Sequence, residues 1–316
     1  MLMLRMRCST GSRTDWSWSR LDSRNSDGVL PIIRITGDRP GRSTATAADT
    51  TTATPAGTAA PKAPVHGARA RLERLRNARK AAALDADVLL GTDPDADRVA
   101  IGVKNKKGEW VLLNGNQTAV LAFNYMIEAR KAKGISQPND MVIKTIVTSD
   151  MIDVVAKAND VACYNVLTGF KWIAKMIKDK EGKENYIIGG EESFGLMIGD
   201  KIRDKDAISA VALSCEMAAY EKNKGRTLYD KLIDLCVQYG FYKESLVSVT
   251  KKGMNGAKEI AAMMEGYRNN PPQTIDGAAV SHLLDYELQV GKNLQTGESW
   301  AINIPKSNVL QFVLAD

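Results

Sequence analysis

The chain has 316 residues, 44% hydrophobic and 25% charged, with a formal net charge of +6. This is the composition of a globular protein long enough for two or three domains, and no run approaches the ~18 apolar residues of a membrane span. Only two histidines are present, which argues against a histidine-based zinc site or a Ser-His-Asp triad.

The charge is unevenly spread. Residues 1–80 carry 15 Lys/Arg against 6 Asp/Glu, and 13 of those 15 are Arg. Residues 81–316 carry 28 against 31, with only five Arg. The body of the chain is mildly acidic, so the net positive charge gives no reason to expect a nucleic-acid partner. Residues 43–60 are low-complexity Ser, Thr and Ala with no apolar face at either helical or strand period. Such a segment cannot bury enough apolar surface to balance its ordering entropy. Residues 1–75 are therefore expected to be disordered or unrelated to the rest. Three origins fit them: a linker or tail, an Arg- and Ser-rich transit peptide, or a segment read in a shifted frame. The four cysteines (Cys8, Cys163, Cys215, Cys236) are scattered without CxxC spacing. They read as buried thiols in a reducing compartment, which points to the cytoplasm.

Further along, 71–84 reads as the end of a helix. Asp87–Leu90 and Val99–Val103 are short strand-like runs. Val120, Leu121, Phe123, Met126 and Ile127 give 116–132 an amphipathic helical face, ended by Gly134. A strand is expected at 141–147, a helix start at Ser149-Asp150, a strand at 161–165 and a helix through Trp172, Ile173, Met176 and Ile177. A strand at 186–188 and a long buried helix at 206–222 follow. This alternation predicts α/β layers on a largely parallel sheet. From about Tyr242 the pattern becomes α+β: a strand at 244–250, a helix at 255–267 and several short strands up to Leu314.

Four loops carry chemistry. Gly91-Thr92-Asp93-Pro94-Asp95-Ala96-Asp97-Arg98 sets three carboxylates at alternate positions between two strands. Hard oxygen donors in one loop suit a divalent cation such as Mg²⁺. Arg98 adds a guanidinium able to take an anion with two parallel hydrogen bonds. An EF-hand is excluded, because its sixth and twelfth positions, counted from Asp93, hold Arg98 and Lys104 instead of Gly and Glu. In Gly189-Gly190-Glu191-Glu192-Ser193-Phe194-Gly195, glycines bracket acids and a hydroxyl at a strand end. That suits vicinal sugar hydroxyls, or simply a loop with a helix cap. Thr168-Gly169 opens a helix, where backbone N–H groups favour an anion. Arg203-Asp204-Lys205-Asp206 precedes another helix, as a phosphate contact or a solvated charged turn. The last three lie near strand-to-helix junctions, where open α/β sheets place ligands.

With these motifs, residues 76–316 resemble the α-D-phosphohexomutase family. The resemblance implies three-layer α/β/α mixed-sheet domains followed by a partial α+β C-terminal domain. It divides the chain into an unrelated segment at 1–75, the end of a second domain with the metal loop at 76–112, a third domain with the sugar loop at 113–240, and an incomplete fourth domain at 241–316. Asp93, Asp95 and Asp97 match the family's Mg²⁺ ligands, and Glu191 and Ser193 its sugar-hydroxyl contacts. Arg98, Thr168, Gly169, Arg203 and Lys205 fall on stretches that line the substrate and phosphate site. The implied activity interconverts hexose 1-phosphate and hexose 6-phosphate by moving a phosphoryl group between an enzyme serine and sugar O1 or O6. The implied partners are glucose 1-phosphate, glucose 6-phosphate and glucose 1,6-bisphosphate, with no nucleic acid and no membrane. The Glu-Glu-Ser-Phe-Gly form leans to glucose over mannose. The sequence departs from the family in two places: it has no Ser-His-Asn-Pro phosphoserine loop and no Arg-x-Ser-Gly-Thr phosphate clamp. An inactive fragment is therefore expected, with a non-catalytic sugar-phosphate or metal-binding module, or mannose specificity, as alternatives.

Overall fold

A computed structural model describes residues 84–244 and 253–315, together with the backbone of three N-terminal strands, β1 (Leu2–Arg5), β2 (Ile32–Thr36) and β3 (Thr44–Ala48). The remaining expectations for residues 1–83, and the strand expected at 245–250, lie outside the described residues.

The first described unit is a hairpin. Strands β4 (Val88–Thr92) and β5 (Val99–Lys104) pair antiparallel from Val88↔Val103 to Thr92↔Val99, and β6 (Trp110–Leu112) adds to β5. Six residues join β4 to β5, far fewer than the dozen or more a parallel crossover needs.

Helix α1 (Gly115–Ala132) follows, started by a capping box in which Asn114 and Gln117 exchange side-chain and backbone hydrogen bonds at 2.9 Å. Gly134 stands just past its end at φ +66°. Then come β7 (Asp140–Thr145), α2 (Met151–Ala158), β8 (Ala162–Val166), α3 (Phe170–Lys180), β9 (Asn185–Gly190) and β10 (Leu196–Ile198). The sheet order is β10-β9-β7-β8. The pairs β7/β8 and β7/β9 are parallel, and β10 is antiparallel to β9.

Strand alternation makes this sheet the middle layer. On β7, Val142 faces one core with Phe123, Ile152 and Val155, while Met141 and Ile143 face another with Phe170, Ile173 and Ile177. Helices α1 and α2 thus cover one face and α3 the other, which is an α/β/α sandwich. Helices α4 (Ala207–Lys222) and α5 (Leu228–Tyr239) join the α1 side. There Leu213, Met217, Leu232 and Leu235 share one core with Val88, Leu90, Val99 and Ile101 of the hairpin sheet. The hairpin and the sandwich are therefore fused through a common helical layer.

The last unit is α+β. Helix α6 (Gly253–Asn269) precedes β11 (Thr274–Ile275), β12 (Ala278–Asp285), β13 (Val290–Asn293), β14 (Ser299–Ala301) and β15 (Leu310–Leu314). The run β15-β12-β13-β14 is antiparallel. Met264 of α6 packs on Val280, Leu283, Leu310 and Phe312. Tyr286, Ile302 and Val309 pack on Ile146 and Leu167, at the ends of β7 and β8.

Candidate functional site

The β4–β5 turn is tied internally by its first aspartate. Asp93 Oδ1 accepts the backbone N–H groups of Asp97 (3.2 Å) and Arg98 (3.3 Å), and the Asp93 carbonyl accepts the N–H of Ala96 (3.0 Å). Ala96 sits at φ +55°, a left-handed conformation that an L-residue adopts only at a cost. Asp95 is exposed at the tip.

The glycine-bracketed loop between β9 and β10 folds over the same place. Glu191 N–H donates to the Gly195 carbonyl (2.9 Å), and Phe194 takes φ +69°. Arg98 and Gly195 form an isolated antiparallel bridge, and Val99 N–H donates to the Phe194 carbonyl (3.2 Å). The two loops are thereby joined backbone to backbone. A Cβ added at Gly195 would lie 2.8 Å from Phe170 Cε2 and 3.0 Å from Lys205 Cδ, so a side chain there would have to displace the Phe170 ring.

The other two stretches close around this seam. Gly169, at φ +115°, donates its N–H to Glu191 Oε1 at 2.6 Å, and Ser193 Oγ donates to Glu191 Oε2 at 3.4 Å. Ala207 N–H donates to the Ala96 carbonyl (3.1 Å) and Asp206 N–H to the Leu196 carbonyl (3.0 Å). Lys205 Nζ lies 2.8 Å from Asp97 Oδ2 and sits over the Phe170 ring. Asp93, Asp97, Arg98, Gly169, Glu191, Ser193 and Lys205 thus form one connected cluster. Arg203 turns instead to Glu181 (2.7 Å), and Thr168 is exposed.

Burial pushes the Asp97 carboxyl up, yet hydrogen bonds from Lys205 and Asp93 and the charges of Lys205 and Arg98 together hold it below its ordinary range. The Asp97 contact raises Lys205 in turn. Among the described residues no three His, Cys, Asp or Glu side chains converge as a metal cluster. The donor set nonetheless suits a hard cation in kind. The aspartates supply oxygen ligands, and Asp97 Oδ1 is buried with no hydrogen-bond partner. Arg98 Nε, 3.8 Å from Asp97 Oδ1 and 3.9 Å from Asp93 Oδ2, and Lys205 Nζ are the positive charges now facing these carboxylates.

Two contributors escape sequence reasoning. Glu192 turns inward, where its Oε2 receives the hydroxyls of Thr145 (3.3 Å) and Thr148 (3.5 Å). Gly115, the first residue of α1, lies so close to the loop that a Cβ would overlap the Glu192 carbonyl. Glu192 lies within the Gly-Glu-Glu-Ser motif, but its threonine partners and Gly115 stand dozens of residues away, so no spacing rule foretells these contacts.

Residues 114–236 match the family model for phosphoglucomutase/phosphomannomutase, alpha/beta/alpha domain III. The chain is 37% identical over 228 residues to a phosphoglucomutase of Staphylococcus epidermidis, covering 72% of this chain and 41% of that protein. A Staphylococcus aureus phosphoglucomutase is 37% identical over 226 residues, covering 72% and 40%. The chain thus spans about two fifths of the length of these relatives. A Paramecium crystal structure, pp63/parafusin, matches 66% of this chain and 34% of its own at 22% identity, with a TM-score of 0.42. The chain belongs to the α-D-phosphohexomutase family, and the relatives it resembles are phosphoglucomutases.

Proposed function

We propose that the cluster is the metal- and sugar-binding face of a phosphohexomutase, acting on a hexose phosphate of the glucose series. The observation that carries this reading is the Arg98–Gly195 bridge, reinforced by the Lys205–Asp97 pair at 2.8 Å. It unites an oxygen-donor loop with a sugar-type loop, as phosphoryl transfer on a sugar requires. Glu191 and Ser193 offer paired acceptor and hydroxyl groups to vicinal hydroxyls of the hexose. Lys205 and Arg98 are placed to bind phosphate oxygens, Arg98 in two-pronged fashion. Gly169 adds a backbone N–H at the start of α3.

Mg²⁺ would be held by Asp93, Asp95 and Asp97, and when bound it supplies neutralisation of charge on the phosphoryl group. Lys205, which would bind the substrate phosphate, contacts Asp97, which would hold the cation, at 2.8 Å, and this contact would tie sugar-phosphate binding to metal binding.

The 316-residue chain has no Ser-His-Asn-Pro loop, so it is expected to bind without turning over. Two measurements test this. Phosphorus NMR of glucose 1,6-bisphosphate titrated with the chain and Mg²⁺ should show broadened signals. A coupled assay of glucose 1-phosphate to glucose 6-phosphate should stay at background. Sharp, unshifted phosphorus lines at saturating chain would refute the binding reading, and turnover by the chain alone would refute the division between binding and chemistry.

A further inference from the structure

Glu191 and Ser193 account for the sugar-type chemistry of their loop, but the residue between them faces the other way. Glu192 Oε2 lies 3.3 Å from Thr145 Oγ1 and 3.5 Å from Thr148 Oγ1. The two hydroxyls are 2.7 Å apart, and both threonines are buried. They sit on a turn after β7 closed by Thr148 N–H to the Thr145 carbonyl (3.0 Å). That turn is pinned in its own right. Fully buried Lys144 donates to the Thr148 carbonyl (3.0 Å) while meeting Asp153 (3.0 Å) and Asp150 (3.5 Å). Ser149 N–H donates to Asn116 Oδ1 on α1 (2.9 Å). The backbone of Glu192 also has no room to retreat, because a Cβ on Gly115 would lie 1.8 Å from its carbonyl oxygen.

We propose that Glu192, gripped by Thr145 and Thr148, is a positioning residue that fixes the loop so that Glu191 and Ser193 meet the hexose hydroxyls together. This rests on the sugar-site reading above. The loop turns at Glu192 and Ser193 and is closed by Glu191 N–H to the Gly195 carbonyl (2.9 Å), while the buried Glu191 carboxylate holds the Gly169 N–H and Ser193 Oγ, so anchoring Glu192 in the middle of this turn fixes Glu191 and Ser193 on either side of it at one spacing. A pair of acceptors recognises vicinal hydroxyls only while its spacing is fixed, and a loop held by three elements supplies that without contacting the sugar through Glu192 itself.

The test uses the full chain with Mg²⁺. Calorimetry reads glucose 6-phosphate affinity, and hydrogen exchange reads the backbone of residues 190–196. Glu192→Ala should weaken affinity and speed exchange of the loop amides, each about tenfold, on the scale of losing a buried hydrogen-bonded anchor. Thr145→Val/Thr148→Val should move both in the same direction. Glu192→Gln, which keeps an acceptor oxygen for the hydroxyls, should restore both to within about threefold of wild type. Unchanged exchange and affinity in Glu192→Ala would overturn the proposal. So would an affinity loss in Glu192→Gln as large as in Glu192→Ala with exchange unchanged, since that marks direct contact with sugar. Should the wild-type chain bind no glucose 6-phosphate, the sugar-site reading falls, and the exchange data alone decide whether the clasp exists.

Discussion

The side chains of the cluster divide into those that shape it and those left facing it. Asp93 spends one oxygen closing its own turn, accepting the backbone N–H groups of Asp97 and Arg98. Asp97 is held ionised by Lys205 and Arg98 despite its burial. Glu192 behaves in the opposite way. Burial, with the Glu191 charge adding to it, pushes its carboxyl above the ordinary 4.5, and hydrogen bonds from its own backbone, Thr145 and Thr148 do not bring it back. A carboxyl raised in the folded state favours folding while protonated. Its contribution is full below the unfolded value and is lost as pH rises through the folded one. Stability should therefore fall with rising pH above about 4.5 on account of Glu192, and Glu192→Gln should flatten that fall and melt higher at pH 7 in thermal scans. Lys144 is a second test at this scale. Its Nζ, with the side chain 1% exposed, bridges Asp150 and Asp153 across the start of α2. Lys144→Ala should lose about 3 kcal/mol in urea melts, at the low end for breaking a buried pair because both carboxylates reach solvent. That Asp93 and Asp97 share a loop, and Glu191 and Ser193 another, was legible in the sequence because their spacing is local, while Asp95 stands exposed outside the connected cluster. The role of Glu192 was not, since its partners Thr145 and Thr148 come from a distant turn, and that of Lys144 was not, since its burial is set by the tertiary packing.

Secondary structure followed its local signals closely. Helices α1, α3, α4 and α6 lie where apolar periodicity and capping residues put them, and Gly134 ends α1 as its left-handed φ allows. Helix α5 is absent from the sequence-based expectations although its cues are present. Leu228, Leu232 and Leu235 stand at helical spacing behind a capping box of Thr227 and Asp230. The strand at 141–147 stops at Thr145 because 145–148 turns back on itself, and that turn then grips Glu192. The sharpest test among the elements is the junction of α1 with the β9–β10 loop. Gly115→Ala would drive a methyl into backbone atoms at 1.8–2.8 Å, with no flexible side chain to yield. A loss of roughly 1–3 kcal/mol is expected from overpacking, read as a lower urea midpoint, while Gly266→Ala on α6, with nothing within 4 Å, should leave it unchanged or slightly raised. Equal effects of the two substitutions would remove the case for close approach at Gly115.

The whole molecule is organised so that the hairpin carrying the aspartates cannot move independently of the sandwich carrying the sugar-type loop. One continuous core runs from Val88, Leu90 and Ile101 through α1, α4 and α5 to Ile188 and Val142. The C-terminal sheet rests by Tyr286, Ile302 and Val309 on the loop ends of β7 and β8. The three-layer form followed from the family resemblance, and the α/β layering and the change to α+β texture near residue 242 were readable from the order of elements. The fusion of the hairpin to the helical layer was not, because nothing local specifies which core a hairpin joins. This fusion makes the central claim testable as a property of one site: metal loop, sugar loop and Lys205 should act together. The most direct measurement is calorimetric titration of glucose 6-phosphate into the full chain with and without Mg²⁺, repeated for Asp97→Asn and Glu191→Gln. The account predicts saturable binding strengthened by Mg²⁺, weakened at least about tenfold in each variant, with the Mg²⁺ dependence gone in Asp97→Asn. Binding indifferent to Mg²⁺ and to both substitutions, or no saturable binding at all, would contradict it.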